Sequence, residues 1–311
     1  MDVKKKKTLV PPRVLPGDTI GIAAPASPFD TDSFYRGINI LESMGFHTVV
    51  SDDLFKKNGY LAGSDRHRAR LVNTLFSDKK IKAIVCARGG FGSIRILSFL
   101  DFETIRKNPK IFVGFSDISA LLSGFYTKCG LVTFHGPMVE TLADADQQTK
   151  HAMFSAISSD ISLKIKSENG ITVRHGSVSG PVSGGNLSTL CHLLGTPFQP
   201  DFKGHILIIE DRREPAYKID RMLSQMKLAG CFDGLGGLIL GSFEDCGMMD
   251  AILRIVDDIF KEAPVPILAG FDMGHGKPNL TIPMGLGAKL DADDHLLLFQ
   301  EPATVPVIND K

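Results

Sequence analysis

The chain has 311 residues, 43% of them hydrophobic and 23% charged, with a formal net charge of +0. This is an ordinary globular balance, long enough for roughly two domains, and a neutral chain has no general attraction for a polyanion, which argues against a nucleic-acid partner. No window approaches the ~18 uninterrupted apolar residues of a membrane span.

The opening "MDVKKKK" is basic, but "TLVPPRVLPGD" follows with two consecutive prolines and no long apolar core, so the start reads as a frayed tail and not as a signal peptide. "DTIGIAAPAS" (18–27) predicts a strand running into a Pro-broken loop. In "DSFYRGINILESMG" (32–45), Phe34, Ile38 and Leu41 recur at helical spacing, and Gly45 stands where a C-cap is expected. "HTVVSD" predicts a second strand. "SDRHRARLVNTLFSD" (64–78) predicts a helix capped by Ser64, with Arg66, His67, Arg68 and Arg70 read as a solvated face in preference to an anion patch. "IKAIVCA" (81–87) is nearly all apolar, as in a parallel strand covered on both faces, and Cys86 within it reads as core. "RGGFGS" follows, then a helix through Ile94 and Leu97, and "KIFVGF" is the next buried strand. After "GFSD", residues Ile118, Leu121, Leu122 and Phe125 form one helical stripe. Strands alternating with helices predict an open α/β sheet with crossover connections.

Residues 138–175 carry helical stretches but no strong strand signal, and read as a connection. From "GSVSGPVSGGN" onward glycine is frequent, and "HILIIED", "GLIL" and "HLLLF" predict short strands. Two helices lie between them, one marked by Ile219, Met222, Leu223 and Met226 and ended by Gly230, the other by Ile252, Ile255 and Ile259. The expected division is an N-terminal α/β domain over 1–140, a connecting segment over 141–175 and a smaller α+β or barrel-like domain over 176–311. Five scattered cysteines without a C-x-x-C pair fit reduced, mostly buried thiols in the cytoplasm.

In an open α/β sheet, ligands lie beyond the carboxyl ends of the strands, where "APAS", "RGGFG" and "GFSD" leave the sheet. "RGGFG" is a poor phosphate loop, since neither G-x-x-x-x-G-K-[ST] nor a full G-x-G-x-x-G is present. It suits an oxyanion donor better, and a plain tight turn fits it equally well. Ser116 in "GFSD" has two readings. It is well placed as the cap of the following helix, and the strand–turn–helix context also resembles a nucleophile elbow, although Ile118 stands where G-x-S-x-G would have its second glycine. A nucleophile needs a base and an orienting carboxylate. His275, flanked by Gly274 and Gly276 in a loop dense with Gly, Pro and Asn, is the first candidate for the base, and His135 in "TFHGP" the second. Glu210 closes the strand "HILIIE", with Asp211 and Glu214 as rivals for the orienter. No H-E-x-x-H or zinc-spaced His/Cys cluster competes, so no metal is expected.

Six segments then appear in one order: "GDTIGIAAPAS", "ARGGFGS", "VGFSDISALL", "SGGNLSTLCHLLGTP", "LIIEDRREPAYKIDRMLSQM" and "MGHGKPNLTIPMG". Together, from about residue 13 to 303, they resemble the serine LD-carboxypeptidases (muramoyltetrapeptide carboxypeptidases), a family that also includes the microcin C self-immunity peptidases. The resemblance implies an N-terminal α/β domain similar to class I glutamine amidotransferases and a C-terminal barrel-like domain. It implies Ser116 as nucleophile, Glu210 as orienter and His275 as base, with the N–H groups of Asp117 and Gly90 as oxyanion hole. Arg88 is the candidate for the substrate carboxylate, chosen from its position beside that loop.

The implied function is a cytoplasmic peptidase, often homodimeric in the family, that releases the terminal D-alanine of murein tetrapeptide during peptidoglycan recycling without a cofactor. Phe91 stands where tyrosine is common, and "DRREPAY" is more basic than its frame demands. The chain has no tryptophan and is short between "SGGN" and "LIIED", which favours the cell-wall branch over immunity-type action on peptidyl or aminoacyl nucleotides. The reading from another class is a non-catalytic α/β binding protein with Ser116 only a cap.

Overall fold

Two β-sheets organise residues 8–306, the part of the chain that the computed structural model describes. The basic opening at 1–7, expected as a frayed tail, lies outside it. The N-terminal strands are β1 (Thr19–Ala23), β2 (His47–Val49), β3 (Ile81–Cys86), β4 (Ile111–Gly114) and β5 (Thr133–His135). There follow β6 (Lys164–Lys166), β7 (Ile171–Arg174), β8 (Ser177–Asn186), β9 (Ile206–Arg212), β10 (Gly237–Glu244), β11 (Ile267–Ala269), β12 (Ile282–Met284), β13 (Gly287–Asp291) and β14 (Leu296–Phe299).

The first sheet runs β12-β5-β4-β3-β1-β2. Its five N-terminal strands are parallel. Such strands need cover on both faces, and the cores show it. Ala83 and Val85 of β3 enter one apolar cluster, Ile84 and Cys86 the other. The sixth strand, β12, comes from the far end of the chain and pairs antiparallel with β5, Ile282 opposite His135.

The second sheet runs β6-β14-β13-β8-β9-β10-β11-β7, parallel from β8 to β11 and antiparallel at its ends. It corresponds to the barrel-like unit that the resemblance implies, although its end strands β6 and β7 share no ladder among the described residues. The cores continue into it. Ile206 and Ile208 of β9 join the cluster of Val85, and Leu207 and Ile209 that of Cys86.

Two expectations need correction. The segment 138–175 holds β6 and β7 besides its helices. Both strands sit at sheet ends, half exposed and mixed with Lys164, Lys166 and Arg174, so they carry no buried apolar run to read. In the helix Asp65–Ser77, capped by Ser64 as expected, Arg66 and Arg70 are solvated but Arg68 is fully buried. Its guanidinium donates to the carbonyls of Pro25 and Gly92 and pairs with Asp65. The loops after β1 and β3 leave those carbonyls without ladder partners, and a buried cation satisfies them.

Candidate active site

β4 delivers Ser116. The strand ends at Gly114, Phe115 is still extended, and Ser116 turns to φ 60°, followed by a short 3-10 turn and the helix Ser119–Cys129. A non-glycine residue in the left-handed region is uncommon and held there by its surroundings. Ser116 makes no capping bond to that helix. Its hydroxyl does not perform the task that the cap reading assigns it.

The loop after β3 lies against this turn. A Cβ added to Gly89 would come within 3.3 Å of the Ser116 hydroxyl oxygen. Gly90 is at φ 97°, and a Cβ there would meet Ser27 Oγ at 2.5 Å, so only glycine fits. Ser27, from the loop after β1, pins the segment: its N–H donates to Gly89 O at 3.1 Å, and its hydroxyl accepts from Phe91 N–H at 3.1 Å. Asp117 ties the serine turn to the same loop. Its buried carboxylate accepts from Ser93 N–H at 2.8 Å, and Ser93 Oγ donates to the Asp117 carbonyl. Burial raises the Asp117 carboxyl pKa, against the bonds from Ser93.

β9 delivers Glu210, fully buried, beside Asn186 at the end of β8. His275 Nδ1 donates to its Oε2 at 2.6 Å. The approach requires Gly274, at φ 105°, since a Cβ there would lie 2.7 Å from that oxygen. The loop is tethered by Gly276 N–H to Ser242 Oγ at 2.9 Å, Gly274 N–H to Asn279 Oδ1 at 3.0 Å, and Asn279 N–H to Thr149 Oγ1 at 2.9 Å. The Phe115 and His275 rings are 4.9 Å apart between centroids.

The electrostatics of the pair follow from this geometry. Burial disfavours charge on His275, but the Glu210 carboxylate outweighs it and raises the imidazole pKa. Burial likewise pushes Glu210 up, and His275 outweighs that and lowers it. Both shifts favour imidazolium beside carboxylate.

The rivals for the orienter have other partners. Asp211 accepts from Asn186 Nδ2 at 3.1 Å, Ser188 N–H at 2.9 Å and Ser188 Oγ at 2.6 Å. Glu214 pairs with Lys218 at 3.1 Å. His135, the second candidate for the base, is fully buried behind Glu210, its Nε2 4.0 Å from Oε1.

Ser116 and His275 line one cavity of about 730 Å³, together with Gly90, Phe91, Asn186 and Arg212. They are not hydrogen-bonded to each other, and such contacts often tighten only in the substrate complex. Arg88 is absent from this lining. It turns to Pro28 O at 2.8 Å and to Glu140 at 3.3 Å, so the carboxylate role expected for it is not supported by its placement. The cations that line the cavity are Arg212 and Arg213, which the sequence reading passed over. Arg212 also lines a second cavity of about 390 Å³ that shares His275 with the first. The excess basic charge of "DRREPAY" was the available signal. Among the described residues, no group of three or more His, Cys, Asp or Glu could hold a metal ion, and no helix is long and apolar enough to cross a membrane.

Comparison with known proteins agrees with this architecture. Residues 20–136 match the model of the LD-carboxypeptidase N-terminal domain, and residues 179–290 that of the LD-carboxypeptidase C-terminal domain. The chain is 37% identical over 294 residues to a probable murein peptide carboxypeptidase of Bacillus subtilis, covering 91% of this chain and 92% of that one. It is 33% identical over 322 residues to the microcin C7 self-immunity protein MccF of Escherichia coli, covering 92% and 94%. The crystal structure of an MccF-like protein from Bacillus anthracis superposes with a TM-score of 0.90 at 25% identity, covering 94% of this chain and 100% of that one.

Proposed function

The chain belongs to the LD-carboxypeptidase family, and we propose that it is a serine enzyme of this type that releases the terminal D-alanine of murein tetrapeptide through an acyl-enzyme. The observation that carries the proposal is the 2.6 Å bond from His275 to Glu210 beside a cavity that also receives Ser116. A bland cap would leave that arrangement without a purpose.

In this reading Ser116 Oγ attacks the scissile carbonyl as His275 takes its proton. Glu210 fixes the imidazole tautomer and stabilises the imidazolium. The N–H groups of Asp117 and Gly90 donate to the developing oxyanion. His275 returns the proton to the departing D-alanine amine, and water then resolves the ester. The free carboxylate of the D-residue falls to Arg212 in place of Arg88, because Arg212 is the cation whose charge His275 feels and which lines both cavities. Residues 1–140 then carry the nucleophile and 176–311 the other two groups. The proposal extends to the cytoplasm, in keeping with five buried cysteines that form no disulfide, to the recycling of cell-wall peptides, and to a homodimer.

Release of D-alanine from tetrapeptide, measured beside the same peptide ending in L-alanine, tests the assignment. With carboxylate and carbonyl both fixed, inversion at the terminal centre swings the methyl into the place of hydrogen. Loss of one charged hydrogen bond alone gives roughly ten- to hundredfold discrimination. Equal rates would refute LD specificity. The 33% identity to the immunity protein favours a second reading, hydrolysis of an aminoacyl nucleotide. A clear preference for an aminoacyl-sulfamoyl-adenosine over the tetrapeptide would establish it instead.

A further inference from the structure

His135 occupies a position where a core strand ordinarily places an apolar side chain. It is the last residue of β5 and is flanked on both sides, by Gly114 of β4 and by Ile282 of β12. β4 runs into the Ser116 turn, and β12 follows the His275 loop. The imidazole is fully buried, 5.8 Å from the Phe115 ring between centroids. Neither ring nitrogen has a hydrogen-bond partner among the described residues, and neither has Oε1 of Glu210, although the Asn186 side chain lies close enough to Glu210 to favour its charged form. Those unpaired groups face each other, Nε2 to Oε1, at 4.0 Å. Buried polar groups are normally satisfied, and two orphans side by side point to one shared bond.

We infer that His135 is a positioning residue, donating Nε2–H to Oε1 of Glu210 in the reacting enzyme so that the carboxylate is held at both oxygens, by His275 on Oε2 and by His135 on Oε1. The inference rests on the proposed role of the Glu210–His275 pair. Closing the bond needs an approach of about 1 Å to reach the ordinary N–H···O range. A neutral donor is the partner this site requires. A second imidazolium would compete with His275 for one carboxylate, whereas burial lowers the His135 pKa to about 4 and keeps the ring uncharged near neutrality. The ring therefore carries one proton, and the inference places it on Nε2.

Two measurements on the full chain test this. In wild-type protein labelled with ¹⁵N-histidine, NMR near pH 7 is expected to show His135 as the neutral Nε2–H tautomer. The Nδ1–H tautomer, or a charged ring, would overturn the inference. The second measurement is the rate at which a fluorophosphonate probe labels Ser116, which needs an activated serine but not the natural substrate. His135→Leu, similar in size and without a donor, is expected to lower that rate about ten- to hundredfold. His135→Gln, which restores an N–H near the Nε2 position, is expected to recover most of it. KM for the peptide should not change in either variant. Equal loss in both variants, or no loss in His135→Leu, would sink the positioning role. If wild type itself fails to label, the triad reading is what has failed. If it labels but leaves the tetrapeptide uncut, only the substrate reading falls and this test still stands.

Discussion

Nδ1 of His275 and Oε2 of Glu210 lie 2.6 Å apart although 65 residues separate them in the chain. Burial works against the charge of each, and each favours the charged form of the other. Such a pair is worth having only if its geometry is kept, since a buried ion pair that loses one partner leaves an uncompensated charge.

The first prediction concerns pH. A general base works in its neutral form, and the His275 pKa is raised, so its proton must be removed at higher pH than for a free imidazole. The acid limb of kcat/KM should lie above about 6.5. In Glu210→Gln the supporting charge is gone and burial remains, so the limb should move down, while kcat falls about 10³–10⁴-fold. A limb that stays in place in the variant would remove His275 as the base.

Ser116→Ala should abolish turnover and leave the fold intact. Had the hydroxyl been a cap, its loss would lower stability by about 1 kcal/mol and spare activity. Because the backbone sits at φ 60°, Ser116→Gly should be the more stable of the two inactive variants by roughly 1 kcal/mol. Urea denaturation of the pair beside a turnover assay reads both effects.

Arg212→Gln should raise KM for the D-alanine peptide about ten- to hundredfold, the worth of a charged hydrogen bond. A peptide ending in a carboxamide should lose as much with wild type and little more with the variant. Independent, additive losses would show that Arg212 does not meet the carboxylate. Arg88→Gln is expected to leave KM unchanged, because Arg88 lines neither cavity at His275.

Arg68→Leu should destabilise the protein by about 1–3 kcal/mol, the usual cost of leaving a buried polar group without its partner. It strands the Pro25 carbonyl and takes one of two partners from Asp65, which keeps Arg95 at 2.8 Å, and from the Gly92 carbonyl, which keeps the Arg95 N–H at 3.2 Å. Arg68→Lys should recover little, because one ammonium cannot reproduce the planar fork. Wild-type denaturation midpoints in both would mean that these loops hold themselves.

The strands that fix the site were legible for a physical reason. β3 and β4 are apolar at nearly every position because both faces are covered, and that leaves a run in the sequence. Ser116 and His275 could be singled out by their turns, but Glu210 could not be told from Asp211 by spacing. They are adjacent on one strand, and only the fold shows that Glu210 meets His275 while Asp211 meets Ser188. Arg68 was misread because its acceptors lie 43 and 24 residues away. A local window sees a polar residue on a helix and not the carbonyls it answers. The contact of Arg88 with Glu140 was hidden in the same way, its acid lying on a helix far along the chain.

The pairing of β12 with β5 has a consequence for how the molecule is made. Residues 282–284 leave the ribosome long after 133–135, on the order of ten seconds later at 5–20 residues per second. Until then β5 is an unpaired edge, all three of its residues destined for burial, of the kind that recruits strands from other chains. The nascent N-terminal half therefore passes through a period of exposure that the finished protein does not show. A ribosome stalled at about residue 200 should present that half in a form more prone to aggregation than the released chain.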